Sequence, residues 1–366
     1  MKLKLKNKKV EREYPQKIAA VFGGLYAEHD VSIFSFENFY ADIQKAGPSG
    51  EIELSTICYI MRNGKVLFSP VDLKKPAKFY FDTERTGSDE IFEAFSRIKE
   101  NNEFVYLICD GSTGIDGRFT SIAEALKLKG TFGSSLSFGI CRSKFHMNQF
   151  VGTNYSDINI PDTVYVKTVE ELEKAVAGFE DQKIIVKPNS LGSSIYTMMF
   201  YCSREQHGKI RELVQNILEY DFRAIIQEYI PGEEYGCYCM EKDGSVDILA
   251  TKKFEKQNTF LNTADKYAMV ENSNDVYLEE DIPAISEFVL NVFKDADCRN
   301  LSRMDFIITA GNKIYFLENN CNPALRGFIK AYKTKYNSCN AYDMLKIFIE
   351  NANNRRMIKT DYYLNL

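Results

Sequence analysis

Apolar and polar residues follow two rhythms along this chain, and the switches between them mark out its elements. Lys17-Ile-Ala-Ala-Val-Phe22 is a short strand-type run that ends at Gly23-Gly24. A helical period follows from about Glu28 to Lys45. Ile52 to Ile60 and the run after Arg62-Asn63-Gly64 read as two strands joined in a hairpin. A charged helix near 89–99 leads to Phe104-Val-Tyr-Leu-Ile-Cys109, apolar at every position, as in a strand buried on both faces. Strand, helix and strand in this order predict an open α/β sheet with ligands near the carboxyl ends of its strands. Gly23-Gly24 and Asp110-Gly111 fall there.

The character changes in a Gly/Ser-rich passage from Gly130 to Gly139. Beyond it, Thr168 with Glu171 and Ser203 with Gln206 have the spacing of capping boxes, which predicts helices running to about Gly178 and Tyr220. The strand Lys183–Lys187, a small-residue loop Pro188–Ser194 and the strand Ala224–Gln227 share this stretch. After Gly232, strands return around a Lys242-Asp243-Gly244 turn, followed by a polar loop at 254–275 and a helix near 283–296. Two last strands, Ser302–Thr309 and Lys313–Glu318, flank Gly311-Asn312. The expected division is a basic arm at 1–16, an α/β domain at 17–132, a central subdomain at 133–227 and a C-terminal domain at 228–366.

Composition narrows the class. A chain of 366 residues suits two or three domains. Its 45% hydrophobic and 27% charged residues exclude a disordered or fibrous protein. No apolar run approaches the ~20 residues that span a bilayer, so an integral membrane protein is excluded. A net charge of −5 gives no bulk attraction for nucleic acid. The lysines crowded between Met1 and Lys9 lack the apolar core of a secretory signal and read as a solvated arm. Nine scattered cysteines show no zinc-knuckle or redox-pair spacing and act as small hydrophobes, which implies a reducing cytoplasm.

Three segments carry chemistry. In Ser302-Arg-Met-Asp305 and Leu317-Glu318-Asn-Asn320, polar residues sit at the ends of two apolar strands. In a hairpin Asp305 would face Glu318 and Asn320, since alternate residues share a face. Three converging oxygen ligands suit Mg²⁺. The loop Lys187-Pro-Asn-Ser-Leu-Gly192-Ser193-Ser194 lets backbone N–H groups approach phosphate oxygens beside a lysine, yet it is no Walker A loop. The stretch Gln227-Glu228-Tyr-Ile230-Pro-Gly-Glu-Glu234 could hydrogen-bond a nucleobase and grip a ribose, or be an ordinary proline-glycine turn.

In chain order these pieces resemble the ATP-grasp ligases, and among them the D-alanine–D-alanine ligases. Phe22-Gly-Gly-Leu-Tyr-Ala-Glu28-His-Asp-Val-Ser32 is similar to that family's first-strand signature, and Asp110-Gly-Ser-Thr-Gly-Ile-Asp-Gly117 to its glycine-rich turn. The resemblance runs from about Lys17 to Pro323. It implies a three-domain ATP-grasp fold using ATP and two Mg²⁺ ions, with Mn²⁺ as a substitute. Lys144 and Lys187 would hold phosphates under the Gly192-Ser193-Ser194 loop, and Lys266 would reach them from the 254–275 lid. Gln227, Glu228 and Ile230 would bind adenine, and Glu234 the ribose. Asp305, Glu318 and Asn320 would bind the metals, Arg303 would stabilise developing charge, and Glu28, Ser193 and Tyr267 would fix the first amino acid. The expected activity joins two amino acids through an acylphosphate for peptidoglycan synthesis in the cytoplasm. Small-molecule substrates are the expected partners, with no nucleic acid or membrane, and a homodimer is left open as the assembly.

The match fails on the acceptor side. Pro323-Ala324-Leu325-Arg326-Gly327-Phe328-Ile329 lacks the family's Pro-Gly-Met-Thr pattern and its serine. Ala324 can still present its N–H, and Arg326 is a candidate grip for a carboxylate or else a surface residue. A related ligase with another acceptor is therefore the main alternative, and a non-catalytic nucleotide-binding protein the second. A Rossmann dehydrogenase is set aside because no G-x-G-x-x-G follows the first strand.

Overall fold

The computed structural model describes residues 15–26, 28–82, 87, 89–109, 116–255, 276–278, 282–336 and 339–355. The first unit contains β1 (Gln16–Gly23), α1 (His29–Ala46), β2 (Ile52–Ile60), β3 (Val66–Pro70), α2 (Ile91–Asn101), β4 (Phe104–Leu107) and α3 (Arg118–Ala125). Its sheet has the order β3-β2-β1-β4. β1 is parallel to both β2 and β4, while β3 returns antiparallel after the predicted turn. All four β4 residues are buried, as their continuous apolar run requires.

Helices α4 (Ser135–Arg142) and α5 (Lys144–Asn154) follow, each N-capped by a serine. The middle unit holds β5 (Thr163–Val166), α6 (Leu172–Val176), β6 (Lys183–Pro188), β7 (Met198–Tyr201), α7 (His207–Tyr220) and β8 (Ala224–Glu228), with sheet order β5-β8-β6-β7. The last unit holds β9 (Glu233–Lys242), β10 (Ser245–Lys253), β11 (Val276–Tyr277), α8 (Pro283–Asp295), β12 (Leu301–Ile308), β13 (Ile314–Asn320), α9 (Leu325–Tyr336) and α10 (Ala341–Asn354). Its antiparallel sheet runs β11-β10-β9-β12-β13.

Two helix starts depart from their predicted capping boxes. Thr168 makes no side-chain cap, and the Glu171 carboxylate instead accepts the Lys167 N–H at 2.7 Å. At the second, Gln206 N–H closes a turn on the Ser203 carbonyl, and α7 begins only at His207. In both places a local turn takes the groups that a cap would have used.

Packing links the outer units. One core joins Val21, Cys58 and Val105 to Phe138 of α4, Val151 of α5, Phe288 of α8 and Phe306 of β12. A second joins Phe22, Phe36 and Tyr40 to Tyr238, Phe328 and Phe348. The middle unit closes a separate core around Val176, Ile184, Val214 and Ile226. α4 and α5 pack mainly against β13, although the sequence groups them with the middle unit. Among the described residues no helix is long and apolar enough to cross a membrane.

Candidate active site

The β12–β13 hairpin pairs Asp305 with Glu318 and Arg303 with Asn320, which is the facing that alternation predicts. Asn319, between the two candidate ligands, turns to the other face and accepts a hydrogen bond from Ser302. Asp305 is buried, and Arg303 donates to both of its oxygens at 2.8 Å. Burial alone would lower the Arg303 pKa, but the Asp305 carboxylate outweighs it and holds the guanidinium above its ordinary range.

Lys144, the first residue of α5, reaches into the same place. Its ammonium donates to the Leu191 carbonyl at 2.8 Å and lies 3.3 Å from Glu318 Oε2. Its position is set by Asn189, whose carbonyl accepts the Lys144 N–H at 3.1 Å while its side chain accepts the Phe145 N–H at 3.0 Å. The loop after β6 is thereby docked on the start of α5. It is also tied to the start of β8, because the Asp221 carboxylate accepts the Ser190 N–H at 2.6 Å.

A cleft with a cavity volume of about 110 Å³ opens between the middle and last units. Of the residues expected from sequence, Lys144, Lys187, Gly192, Ser193, Ser194, Gln227, Glu228, Ile230, Glu234, Asp305 and Glu318 all line it. The walls are completed by Ile185, Ile307 and Leu317. Gln227 donates its amide N–H to Thr163 Oγ1 at 2.8 Å, which leaves its oxygen as the acceptor the cleft can use. The Glu228 N–H is already committed to the Asp162 carbonyl at 2.8 Å, so it is not the group that would meet a base. Ser193, Ser194 and Tyr196 all hold positive φ, between 51° and 54°, a costly conformation for non-glycine residues that often accompanies function.

Glu28 borders the cleft through Gly192. It is buried, its Oε1 accepts the Gly192 N–H at 3.0 Å, and its Oε2 accepts from Arg142. A Cβ at Gly192 would lie 2.5 Å from Glu28 Oε1, so a larger residue there would displace the carboxylate that Gly192 and Arg142 hold. Arg142, the last residue of α4, was not expected from sequence. It also lines a second hollow of about 610 Å³, together with Tyr26, Arg62, Ser190 and Tyr220. Ser32 fixes the sheet end beneath, accepting the Gly23 N–H at 2.8 Å and donating to the Ile108 carbonyl at 3.0 Å.

The acceptor-side residues lie elsewhere. Ala324 is exposed, and Arg326 sits on the exposed first turn of α9, donating to Asn38 of α1 at 3.1 Å. Neither lines the cleft, and Arg326 makes a surface contact with Asn38, in keeping with the second of the two readings its sequence leaves open. Lys266 and Tyr267 lie outside the described residues.

The donor set fits a hard divalent cation. Two facing carboxylates and an amide oxygen offer only oxygen ligands, which suit Mg²⁺ or Mn²⁺. Room is kept around them by Gly236, paired with Asp305 across β9. A Cβ there would fall 3.2 Å from Asp305 Oδ1 and 2.7 Å from the Phe254 ring.

A family model described as the D-Ala D-Ala ligase C-terminus matches residues 155–350. A D-alanine–D-alanine ligase of Clostridium botulinum is 30% identical over 227 residues, covering 61% of this chain and 71% of that protein. One of Streptococcus mutans is 25% identical over 323 residues, covering 84% and 86%. Among solved structures, the VanG D-Ala:D-Ser ligase of Enterococcus faecalis superposes with a TM-score of 0.73 at 20% identity, covering 92% and 99% of the two chains. The Bacillus anthracis D-alanine–D-alanine ligase complexed with ATP gives 0.63 at 20% identity, covering 92% and 97%. The family match covers the units that frame the cleft, and with it the chain belongs to the D-alanine–D-alanine ligase family of ATP-grasp enzymes, ATP-dependent ligases that form a peptide bond.

Proposed function

We propose that this enzyme activates the carboxylate of D-alanine as an acylphosphate and joins it to the amine of a second amino acid. ATP is the phosphoryl donor, and two Mg²⁺ ions, or Mn²⁺, are the metals. The observation that carries this reading is the shared cleft, where Lys144, Lys187, the 192–194 loop, the 227–234 stretch and the acids Asp305 and Glu318 line one volume.

The chemistry accounts for that inventory. A carboxylate does not react with an amine at neutral pH, because its oxygen is a poor leaving group. An oxygen of the donor carboxylate attacks the γ-phosphorus and ADP leaves. The amine nitrogen then attacks the acyl carbon, inorganic phosphate leaves, and the nitrogen sheds its proton. Phosphoryl transfer depends on positioning and charge neutralisation, so cations are the tools required and no nucleophilic side chain is. Lys144 and Lys187 meet the phosphate oxygens while the Ser193 and Ser194 loop covers them. Gln227 accepts the adenine amino group, Ile230 offers a backbone group to the base, and Glu234 holds the ribose. Asp305, Glu318 and Asn320 hold the metal, which when bound neutralises phosphate charge. Arg303 stabilises charge at the reacting oxygens, and Glu28 holds the donor ammonium. Lys266 and Tyr267 join from the 254–275 lid, which keeps water from the acylphosphate. Nine free, buried cysteines support a reducing cytoplasm as the setting.

The acceptor is the open choice, since Ala324 and Arg326 stay out of the cleft. A protein of this fold is named for D-Ala:D-Ser, which makes D-serine the second acceptor to test. ADP release should be measured with D-alanine alone, L-alanine alone, and D-alanine with a panel of D-amino acids. D-Alanine-dependent release is the expected result. Turnover only with L-amino acids overturns the donor assignment, and ATP binding without ADP release under any mixture overturns catalysis. Arg326→Ala is expected to leave the acceptor KM within about twofold, as suits an exposed residue. A tenfold rise would return Arg326 to the acceptor site.

A further inference from the structure

The middle unit gathers a second set of metal-ligand side chains where the β6–β7 hairpin meets α7, away from the loop that follows β6. The carboxylate of Glu180, Sγ of Cys202 and a ring nitrogen of His207 lie within 4.8 Å of one another. Backbone bonds fix Cys202 against the residues that follow Glu180: Asp181 N–H donates to the Cys202 carbonyl at 2.8 Å, and Cys202 N–H to the Gln182 carbonyl at 2.7 Å. The third stands on the first residue of α7. His207 Nε2 is buried and has no hydrogen-bond partner among the described residues, and it lies 3.7 Å from Glu180 Oε2. The other ring nitrogen, Nδ1, lies 3.8 Å from Glu173 Oε2. A ligating imidazole typically offers one nitrogen to the metal and turns the other towards a carboxylate.

We propose that Glu180, Cys202 and His207 form a zinc site, with Glu173 orienting the histidine. A thiolate, an imidazole and a carboxylate suit Zn²⁺, whereas the all-oxygen set at Asp305 and Glu318 suits Mg²⁺. Ligand atoms around tetrahedral Zn²⁺ stand about 3.3–3.8 Å apart, given its bond lengths, so closure needs side-chain shifts on the order of 1 Å. Three protein ligands leave the fourth position to water. Burial, and then the charges of Glu180 and Asp181, push the Cys202 thiol up. The same carboxylates attract a dication, and a coordinated thiol is deprotonated outright. The site braces the end of the β6–β7 hairpin opposite the Lys187–Ser194 loop, and it has a structural role there.

The test is a Co²⁺ titration of the chelator-treated full chain in excess Mg²⁺. One equivalent should produce a thiolate-to-cobalt charge-transfer band, and one equivalent of Zn²⁺ should abolish it. Cys202→Ser should remove the band, and Glu173→Gln, at an exposed side chain, should weaken Co²⁺ binding about 10–100-fold. Glu318→Gln should keep the band intact, which separates this site from the catalytic one. Circular dichroism of each variant checks that it is folded, and a misfolded Cys202→Ser leaves the decision to Glu173→Gln. Absence of the band, its survival in folded Cys202→Ser, its loss in Glu318→Gln, or unchanged affinity in Glu173→Gln overturns the proposal.

Discussion

Glu318→Gln is expected to cut turnover by about 10³-fold or more while moving the melting temperature by no more than about 3 °C. The two effects separate because the carboxylate has two partners of different kinds. Towards the fold, Glu318 is a partly exposed side chain, and its partner Lys144 keeps a second acceptor in the Leu191 carbonyl when the charge is removed. Glutamine has nearly the same volume, and its amide oxygen can still accept from the Lys144 ammonium. Towards the reaction, the substitution halves the carboxylate charge that Asp305 and Glu318 offer a divalent cation. Neutralising phosphate charge is the main task of such a site, so the loss falls on the transition state. ADP release and a thermal melt on the same sample check both halves. Full turnover would refute the metal assignment, and a large drop in melting temperature would show that Glu318 serves the fold.

Much of this site was legible because strands alternate. Asp305 and Glu318 could be paired from sequence since they are the acidic residues of two facing strands of one hairpin, and the register pairs them directly. The same period would have given the apolar walls, which were missed: Ile185 stands two residues from Lys187, and Ile307 two from Asp305. Helix starts were less legible, because the Ser203–Gln206 spacing suits either a cap or a turn, and the chain uses the turn. The Arg142–Glu28 pair was not legible at all. Its members are 114 residues apart, and the core that packs α4 on the first sheet, with the 189–192 loop docked on α5 and Glu28, brings them together. Arg326 was legible only as a choice between a carboxylate grip and a surface residue. Its chemistry suited a carboxylate, but the start of α9 aims it along the flank of α1.

Arg142→Met is expected to destabilise the protein by about 3–5 kcal/mol, and adding Glu28→Gln is expected to recover most of that loss. Both side chains are almost fully buried, with 9% and 4% of their surfaces exposed. Among the described residues, removing the guanidinium leaves the buried carboxylate to the Gly192 N–H. An uncompensated buried charge costs far more than the pair contributes, whereas removing both charges at similar volume comes close to neutral. Denaturant melts of the parent, the two single variants and the double variant form a cycle that isolates the coupling. Additive effects would show that the two residues act independently. The cycle also has a functional side, because Arg142 and Gly192 hold the two Glu28 oxygens in fixed directions. In the proposed reaction, Glu28 receives the donor ammonium, so Arg142 is a positioning residue with no contact to reacting atoms. Its loss should raise the donor KM about tenfold or more and change the KM for ATP little. A fall in kcat with both KM values unchanged would instead place Arg142 in the chemical step.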